Sequence, residues 1–236
     1  MSWRDFWDAD TPIYVNERHK LLHYRAVASG IIEAIRQLPS AGSGSKPAVL
    51  DHGCGEALLA SDVAMLCERL YLCEAAPSLR QKLTARFAEI PNIVVTDPVA
   101  VADLAEASLD LVVANSIVQY LTAAELAQAL RLWRHALKPG GRLLIADVLP
   151  KGLSPVTDAR ALLRFGWQGG FFFAALFGLL RTAISDYRKL RAELGLASYD
   201  EKEMIALLAE AGFKAERHRP NIGHNQARMA FLATPV

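Results

Sequence analysis

The sequence predicts an α/β fold, a three-layer sandwich in which helices cover both faces of a largely parallel β-sheet. Short apolar segments alternate with helical ones between residues 46 and 150. A glycine turn, Gly53-Cys54-Gly55, follows the first apolar segment, and acidic residues stand where several of these segments end. Repeated strand–helix units of this length build a parallel sheet wrapped by helices, with ligands beyond the carboxyl ends of the strands.

The 236 residues, of which 52% are hydrophobic, are enough to bury the core of one domain, residues 1–236. Residues 1–45 are predicted to be an aromatic arm and a cap helix, which begins after Asn16 and runs to about Leu38. Residues 46–150 form the core. Its strands are predicted at Ala48–Asp51, Arg69–Cys73, Asn92–Val95, Leu109–Ala114 and Arg142–Asp147, and its helices at Ala57–Cys67, Ser78–Glu89 and Ala123–Ala136.

Two further segments complete the chain. Residues 151–198 interrupt the alternation with an apolar, aromatic stretch that we interpret as an insertion or lid. Residues 199–236 return to it as a C-terminal helix and hairpin, with the helix at Asp200–Ala211 and strands at Lys214–Arg219 and Arg228–Ala233.

Composition narrows the possible functions. A formal net charge of +1 gives no electrostatic case for a nucleic-acid partner. The three cysteines form no CxxC pair or disulfide framework, which favours a reducing compartment. The first eight residues are too acidic for a signal peptide, and the apolar run Gly169–Leu180 is shorter than the ~20 residues that span a bilayer. We therefore predict a cytoplasmic protein.

The glycine turn and three carboxylates predict a nucleoside-containing ligand. Gly53 and Gly55 lack a Cβ, so a ligand is expected to approach the backbone closely there. Asp51 ends the first strand, and Glu74, which ends the second, is placed to accept hydrogen bonds from two ribose hydroxyls. Asp97 ends the third strand, where a carboxylate can accept from an adenine amine. A dinucleotide is the competing ligand, but Leu58 stands where its third glycine would be.

These residues resemble a known family. Asp51-His52-Gly53-Cys54-Gly55, Glu74, Asp97, Asn115–Leu121 and Lys138–Ile145 are similar, in order and spacing, to motifs of class I S-adenosylmethionine-dependent methyltransferases. The resemblance covers about residues 46–150, with a compatible ending at 200–236. It implies a Rossmann-like fold whose seven-stranded, mostly parallel sheet has an antiparallel last strand, and S-adenosylmethionine as the cofactor.

The resemblance also implies roles for single residues. Asp51 and the turn Gly53-Cys54-Gly55 would meet the methionine part of the cofactor, Glu74 with Ala75 the ribose, and Asp97 with Pro98 the adenine. The family often has Gly-Asp or Asp-Ala where this chain has Asp97-Pro98. The stretch after strand four, with Asn115, Ser116 and Gln119, would flank the sulfonium. Tyr14 is a further cofactor candidate, since it could hold the cofactor carboxylate together with Arg18 and His19.

A neutral hydroxyl or amine must lose a proton when it is methylated, so a base is expected. The candidates are His19, His23 and His224. His19 and His23 lie four apart on one helix face, where a core role is an equal alternative, and His224 could instead satisfy a polar turn. No acidic third ligand stands at a suitable spacing, so we predict no metal.

The 151–198 insertion is predicted to cover the acceptor, with Trp167, Phe171 and Phe172, and with Tyr120 from the stretch after strand four, as substrate contacts. The same aromatic residues could fill extra core, form a homodimer contact, or bind a membrane peripherally together with the basic residues that follow. An Asn-Pro-Pro-Tyr motif, which would position a planar amine, is absent after strand four.

The predicted function is methyl transfer from S-adenosylmethionine to a small-molecule acceptor that is hydrophobic or aromatic, with oxygen slightly preferred over nitrogen. The alternatives are a lipid-directed methyltransferase at a membrane surface and a non-catalytic cofactor-binding subunit that serves a partner. A nucleotide-dependent oxidoreductase is a further alternative.

Overall fold

A computed structural model describes Trp3 and residues 14–39, 44–183 and 195–236. Parts of the predicted arm, linker and insertion, at residues 1–2, 4–13, 40–43 and 184–194, lie outside the described residues. The sheet has seven strands: β1 Ala48–His52, β2 Arg69–Cys73, β3 Ile93–Thr96, β4 Leu109–Asn115, β5 Leu137–Val148, β6 Phe213–His218 and β7 Met229–Pro235.

The strand order is β3-β2-β1-β4-β5-β7-β6. The first five strands along this order pair in parallel, whereas β7 is antiparallel to both of its neighbours. The fold class predicted from the sequence is therefore confirmed. Because β7 runs backwards, the residues just before it lie at the same edge of the sheet as the carboxyl ends of β1, β2 and β4.

The helices agree with the prediction best where capping residues mark their ends. Asn16 accepts a hydrogen bond from the His19 N–H and starts α1 (Glu17–Arg36), and Thr122 forms a capping box with Glu125 at the start of α4 (Ala123–Ala136). The second helix is shorter than predicted, because Ala57 has a positive φ of 42° and delays its start. The helices are α1 Glu17–Arg36, α2 Ala60–Ala64, α3 Pro77–Phe87, α4 Ala123–Ala136, α5 Pro155–Gly169, α6 Phe172–Ala183 and α7 Glu201–Glu210.

Two hydrophobic clusters hold the layers together, one on each face of the sheet. Trp133 of α4 and Met204 of α7 belong to one, and Ile31 of α1 and Leu83 of α3 belong to the other. The helix expected to be a cap is thus a packed layer of the fold. Only its first turns reach the ligand edge.

The described part of the insertion is a helical hairpin. α5 ends at Gly170, whose φ of 73° is a left-handed cap, and α6 turns back at Phe172. A Cβ on Gly166 would lie 3.0 Å from that of Ala175, so the two helices touch closely. None of the described helices has the length and apolar character needed to cross a membrane.

Candidate active site

The glycine turn after β1 is fixed by the protein itself. The Gly53 N–H donates to the Cys73 carbonyl at the end of β2, at 2.8 Å, and Gly53 has a φ of 81°. A Cβ there would stand 2.1 Å from Ile117, and one on Gly55 would stand 2.8 Å from the Tyr24 hydroxyl. The space where a Cβ of either glycine would lie was predicted to admit a ligand. In the structure it is occupied by the side chains of Ile117 and Tyr24.

Glu74 joins the turns that follow β1 and β2. Its Oε2 accepts from the Gly55 N–H at 3.0 Å and its Oε1 from the Ala76 N–H at 2.8 Å. The residue is 8% exposed and lines the cleft beyond the sheet. A carboxylate has about four acceptor positions, so Glu74 retains capacity for hydroxyl donors of a ligand.

Asp51 lies beside it, 6% exposed, at the carboxyl end of β1. Burial, together with the nearby charge of Glu74, raises the pKa of Asp51 to about 7. A cation bound next to Asp51 would stabilise the ionised form. The pair therefore forms a carboxylate wall of the cleft, whose chemistry suits a ligand with positive charge and hydroxyl groups.

Asp97 has a different position. Its Oδ1 accepts from the N–H groups of Val99 and Ala100 at 2.8 and 3.0 Å, and these bonds lower the pKa of Asp97. The carboxylate thus caps the turn after β3. Pro98 lines the cleft, whereas Asp97 is not among its described lining residues.

The end of β4 presents unsatisfied acceptors. Asn115 and Gln119 are buried and line the cleft. Gln119 donates through Nε2 to the Ser116 carbonyl at 2.9 Å. Within the described part of the chain, Oδ1 of Asn115 and Oε1 of Gln119 accept no hydrogen bond. Buried acceptors without partners are costly, so both atoms are suited to donors of a bound ligand.

A polar network that the sequence did not predict forms a second wall, where Ser116, Asp147 and Arg228 line the cleft. Ser116 Oγ donates to Asp147 Oδ2 at 2.7 Å, and Arg228 Nη1 donates to the same oxygen at 2.8 Å. Arg228 Nη2 lies 3.4 Å from Asp158 Oδ2, and Asn225 donates to Asp158 Oδ1 at 2.6 Å. Four distant parts of the chain are joined in this way.

Ser116 and Asp147 have positive φ angles of 59° and 60°, a conformation that costs energy for residues other than glycine. Ser116 directly follows β4, and Asp147 is the next-to-last residue of β5. The backbone strain lies where the side chains turn into the network. Asp147 had a sequence signal, because it ends the predicted fifth strand as Asp51 ends the first.

Two of the candidate bases lie in an aromatic cluster on this wall. His224 stacks on Phe165 at 4.7 Å between ring centres, and His19 stacks on Phe171 at 5.1 Å. Burial lowers the pKa of His224, and it lowers that of His19 to about 4 with help from the neighbouring His224. Both rings are therefore neutral near pH 7.

A hydrogen bond from the backbone fixes which ring nitrogen of His19 carries the proton. The Val15 N–H donates to Nδ1 of His19 at 3.3 Å. Neutral His19 therefore carries its proton on Nε2 and is a donor at that atom. His52, which was not singled out from the sequence, is in the same state, since Trp133 donates to its Nδ1 at 3.1 Å. Nδ1 of His19 and Nδ1 of His52 are thus both occupied by a donor from the protein.

His23 and Tyr14 lie together near the glycine turn. The Tyr14 ring is 5.5 Å from that of His23 and 6.0 Å from that of Tyr24. Tyr24 in turn accepts from the Glu56 N–H at 2.9 Å. Burial lowers the pKa of His23 to about 3 and raises that of Tyr14. Both side chains line the cleft as uncharged groups.

The cleft has a volume of about 1530 Å³, more than the ~300–1,000 Å³ of a typical single-ligand pocket. It has room for a cofactor and an acceptor. The predicted residues that line it are Tyr14, His19, His23, Asp51, Gly53, Cys54, Gly55, Glu74, Ala75, Pro98, Asn115, Ser116, Gln119, Tyr120 and His224.

The substrate candidates are divided by the structure. Tyr120 lines the cleft, but Trp167, Phe171 and Phe172 are not among its described lining residues. Trp167 is 75% exposed, and Phe171 is buried behind His19. From the predicted insertion, Gly195, Leu196 and Ala197 reach the cleft instead. The exposed face of a helix and its packed face cannot be told apart from composition alone, and contact of these three residues with an acceptor stays a prediction.

The described residues contain no group of three or more His, Cys, Asp or Glu side chains arranged to hold a metal ion. Their chemistry fits an organic cation instead. Two buried carboxylates and two unpartnered amide oxygens surround the ends of β1, β2 and β4. S-Adenosylmethionine carries a sulfonium, an ammonium and a ribose diol, so this set of acceptor oxygens fits it.

Comparison with known proteins agrees with this site. Residues 50–145 match a family model described as "Methyltransferase domain". The match begins in β1 and ends in β5, so it contains the glycine turn, Glu74 and the Asn115–Gln119 stretch. A search of curated proteins finds no significant sequence match.

Solved structures share the fold at low sequence identity. A Leishmania major SAM-dependent methyltransferase has a TM-score of 0.60 at 13% identity, over 98% of this chain and 80% of that one. Magnesium protoporphyrin IX methyltransferase from Synechocystis PCC 6803, solved with bound SAH, has 0.57 at 14% identity, over 98% and 92%. The Haloferax volcanii protein solved in complex with the Trm112 methyltransferase activator has 0.59 at 15% identity, over 100% and 98%.

The matched segment is that of a methyltransferase domain, and the fold around it is shared with solved S-adenosylmethionine-dependent methyltransferases. The matched residues carry the motifs on which the predicted resemblance to class I methyltransferases rests.

Proposed function

We propose that this methyltransferase acts on a small, hydrophobic acceptor and methylates it at oxygen. The observation that carries the proposal is one cleft with two chemically different walls. Asp51 and Glu74 form a carboxylate wall, and the neutral rings of His19 and His224, packed against Phe165, form an aromatic wall. A cationic donor and an uncharged acceptor are the reactants that such walls favour.

The carboxylate wall binds and orients the donor. The bound cofactor supplies a methyl group already activated on a sulfonium. Glu74 would accept the two ribose hydroxyls, and the free oxygens of Asn115 and Gln119 are placed to accept donors near the methionine part. Asp51 offers its negative charge to the cationic end. Holding the reactants in line is the main contribution that this transfer requires.

The aromatic wall binds the acceptor and removes its proton. The ring of His224 is neutral near pH 7 and able to accept a proton from a hydroxyl. His19 presents an Nε2–H group, which can donate to an acceptor oxygen and orient it. Oxygen is preferred because this donor suits an atom with lone pairs to spare.

Two assays test the proposal together. Thermal shift with S-adenosylhomocysteine (SAH) and with NAD separates a methyltransferase from a nucleotide-dependent oxidoreductase. Transfer of labelled methyl groups to a panel of phenols, amines and amphiphiles then identifies the acceptor. We expect a rise in Tm with SAH alone and the highest turnover on hydroxylated aromatic compounds. SAH binding without turnover on any compound would support the non-catalytic subunit instead.

A lipid-directed methyltransferase is the second candidate. It is favoured by the strongly exposed Trp167, Phe173 and Phe177 on the α5–α6 hairpin. The same surface is the one through which a homodimer was predicted. Preference for amphiphilic acceptors in the panel, with a stimulation by vesicles, would favour the lipid-directed enzyme. We place the protein in the cytoplasm, a proposal that its three buried, unpaired cysteines support.

A further inference from the structure

The outer face of the α5–α6 hairpin is unusually apolar. Phe173, Leu176, Phe177 and Leu180 recur at i, i+3, i+4 and i+7 along α6, so they share one helix face. Their exposures are 74%, 38%, 68% and 59%. Helical residues at this spacing normally face a core, yet here the apolar face is turned to solvent. Trp167, near the end of α5, adds a fifth large apolar side chain and is 75% exposed.

This orientation is imposed by the packing of the other face. Phe171 and Ala175 are buried, and Ala175 meets Gly166 of α5. A Cβ on Gly178 would lie 2.3 Å from Val15, so Val15, just before α1, packs directly against the inner face of α6. Arg18 also donates to the Gly169 carbonyl. The hairpin cannot rotate its outer face inwards without losing these contacts.

The charges beside this face have one sign. Arg160, Arg164 and Arg181 are exposed. Asp158 is the one carboxylate between residues 155 and 181, and it is bonded to Arg228 and Asn225 on the inner side. Apolar and aromatic side chains beside uncompensated arginines are the pattern of helices that lie in the interface of an anionic membrane.

We propose that the outer face of the α5–α6 hairpin docks on an anionic lipid bilayer. The rings of Phe173 and Phe177 enter the boundary between headgroups and acyl chains, and the arginines reach the lipid phosphates. α6 has 12 residues, so it lies in the interface and does not span it. Since Phe171 of this hairpin stacks on His19, the docked surface lies beside the acceptor wall of the cleft.

A second copy of the chain fits this face less well. A twofold dimer places the same patch of each copy against the other. Arg160, Arg164 and Arg181 would then be brought towards their own symmetry mates, without a free carboxylate from the hairpin to pair with them. The dimer is therefore an alternative outcome of the test.

Flotation of the full-length protein with vesicles tests the proposal. Vesicles of phosphatidylcholine alone are compared with vesicles that also contain phosphatidylglycerol, in low and high salt. We expect the protein to float with the anionic vesicles and to dissociate as salt rises. Phe173→Ser combined with Phe177→Ser should lower partitioning more than about tenfold, and Arg164→Gln about fivefold.

Val99→Ser is the matched control, because Val99 is 81% exposed but lies in the turn after β3. It should float like the wild type. Leu180→Ser is a second test variant, and SAH thermal shift checks that every variant is folded. The proposal is overturned by absence of flotation with anionic vesicles, or by flotation that the double variant retains. It is also overturned if light scattering shows a dimer that the double variant splits.

Discussion

The two walls of the cleft are built in different ways. The carboxylate wall, with Asp51, the glycine turn and Glu74, lies within 24 consecutive residues, at the ends of two neighbouring strands. The acceptor wall joins Ser116, Asp147 and Arg228 by hydrogen bonds and also includes His19, which contacts His224, so its members are spread over most of the chain. The first wall is held by backbone hydrogen bonds, and the second by side chains that hold one another. This difference indicates that the carboxylate wall tolerates substitutions elsewhere in the chain, whereas the acceptor wall depends on each of its members.

Arg228→Met tests this dependence with the largest expected effect. It leaves the partly buried carboxylates of Asp147 and Asp158 without their cation, which we expect to lower the free energy of unfolding by about 3 kcal/mol. Denaturant unfolding measures the change. The control is Arg131→Met, at an exposed position of α4. Equal stability of both variants would show that the network does not hold the wall together.

His224→Gln separates the two walls by function. If His224 takes the acceptor proton, kcat should fall about 100-fold, while SAH affinity stays within about twofold. His135→Gln, at an exposed position on α4, is the matched control and should leave kcat unchanged. A parallel loss of SAH affinity and kcat in His224→Gln would argue that the ring supports the whole cleft and has no separate role as a base.

The pH dependence of donor binding tests Asp51. With a pKa of about 7, its ionised fraction rises from about a tenth at pH 6 to about nine tenths at pH 8. Cofactor binding to the carboxylate should therefore strengthen about tenfold over this range, with release of a proton near pH 7. Calorimetry in buffers of different ionisation enthalpy measures both quantities.

Asp51→Asn is the control for this experiment, because it removes the protein's titration and leaves that of the ligand. An unchanged pH dependence in Asp51→Asn would assign the effect to the ligand. His19 and His23, whose pKa values are lowered to about 4 and about 3, should not contribute between pH 6 and 8.

The same contrast between the walls explains what the sequence could predict. The fold and the carboxylate wall follow from local signals in the sequence. These are the alternation of strands and helices, Asn16 and Thr122 as helix caps, and the sequence spacing between Glu74 and the glycine turn. Arg228 and its partners could not be found in this way, because their meeting depends on the antiparallel direction of β7 and on the packing of α5. Trp167 shows the same limit, since composition does not say which side of a helix meets solvent.

The central claim is that the carboxylate wall binds S-adenosylmethionine, and calorimetry of SAH with Glu74 variants tests it most directly. Each hydrogen bond to a charged group contributes about 1.5–3 kcal/mol, so loss of two in Glu74→Ala should weaken binding about 100-fold or more. Glu74→Gln should be intermediate, and the exposed Glu89→Ala should bind as the wild type does. A folded Glu74→Ala protein that binds SAH within about twofold of the wild type would contradict the claim.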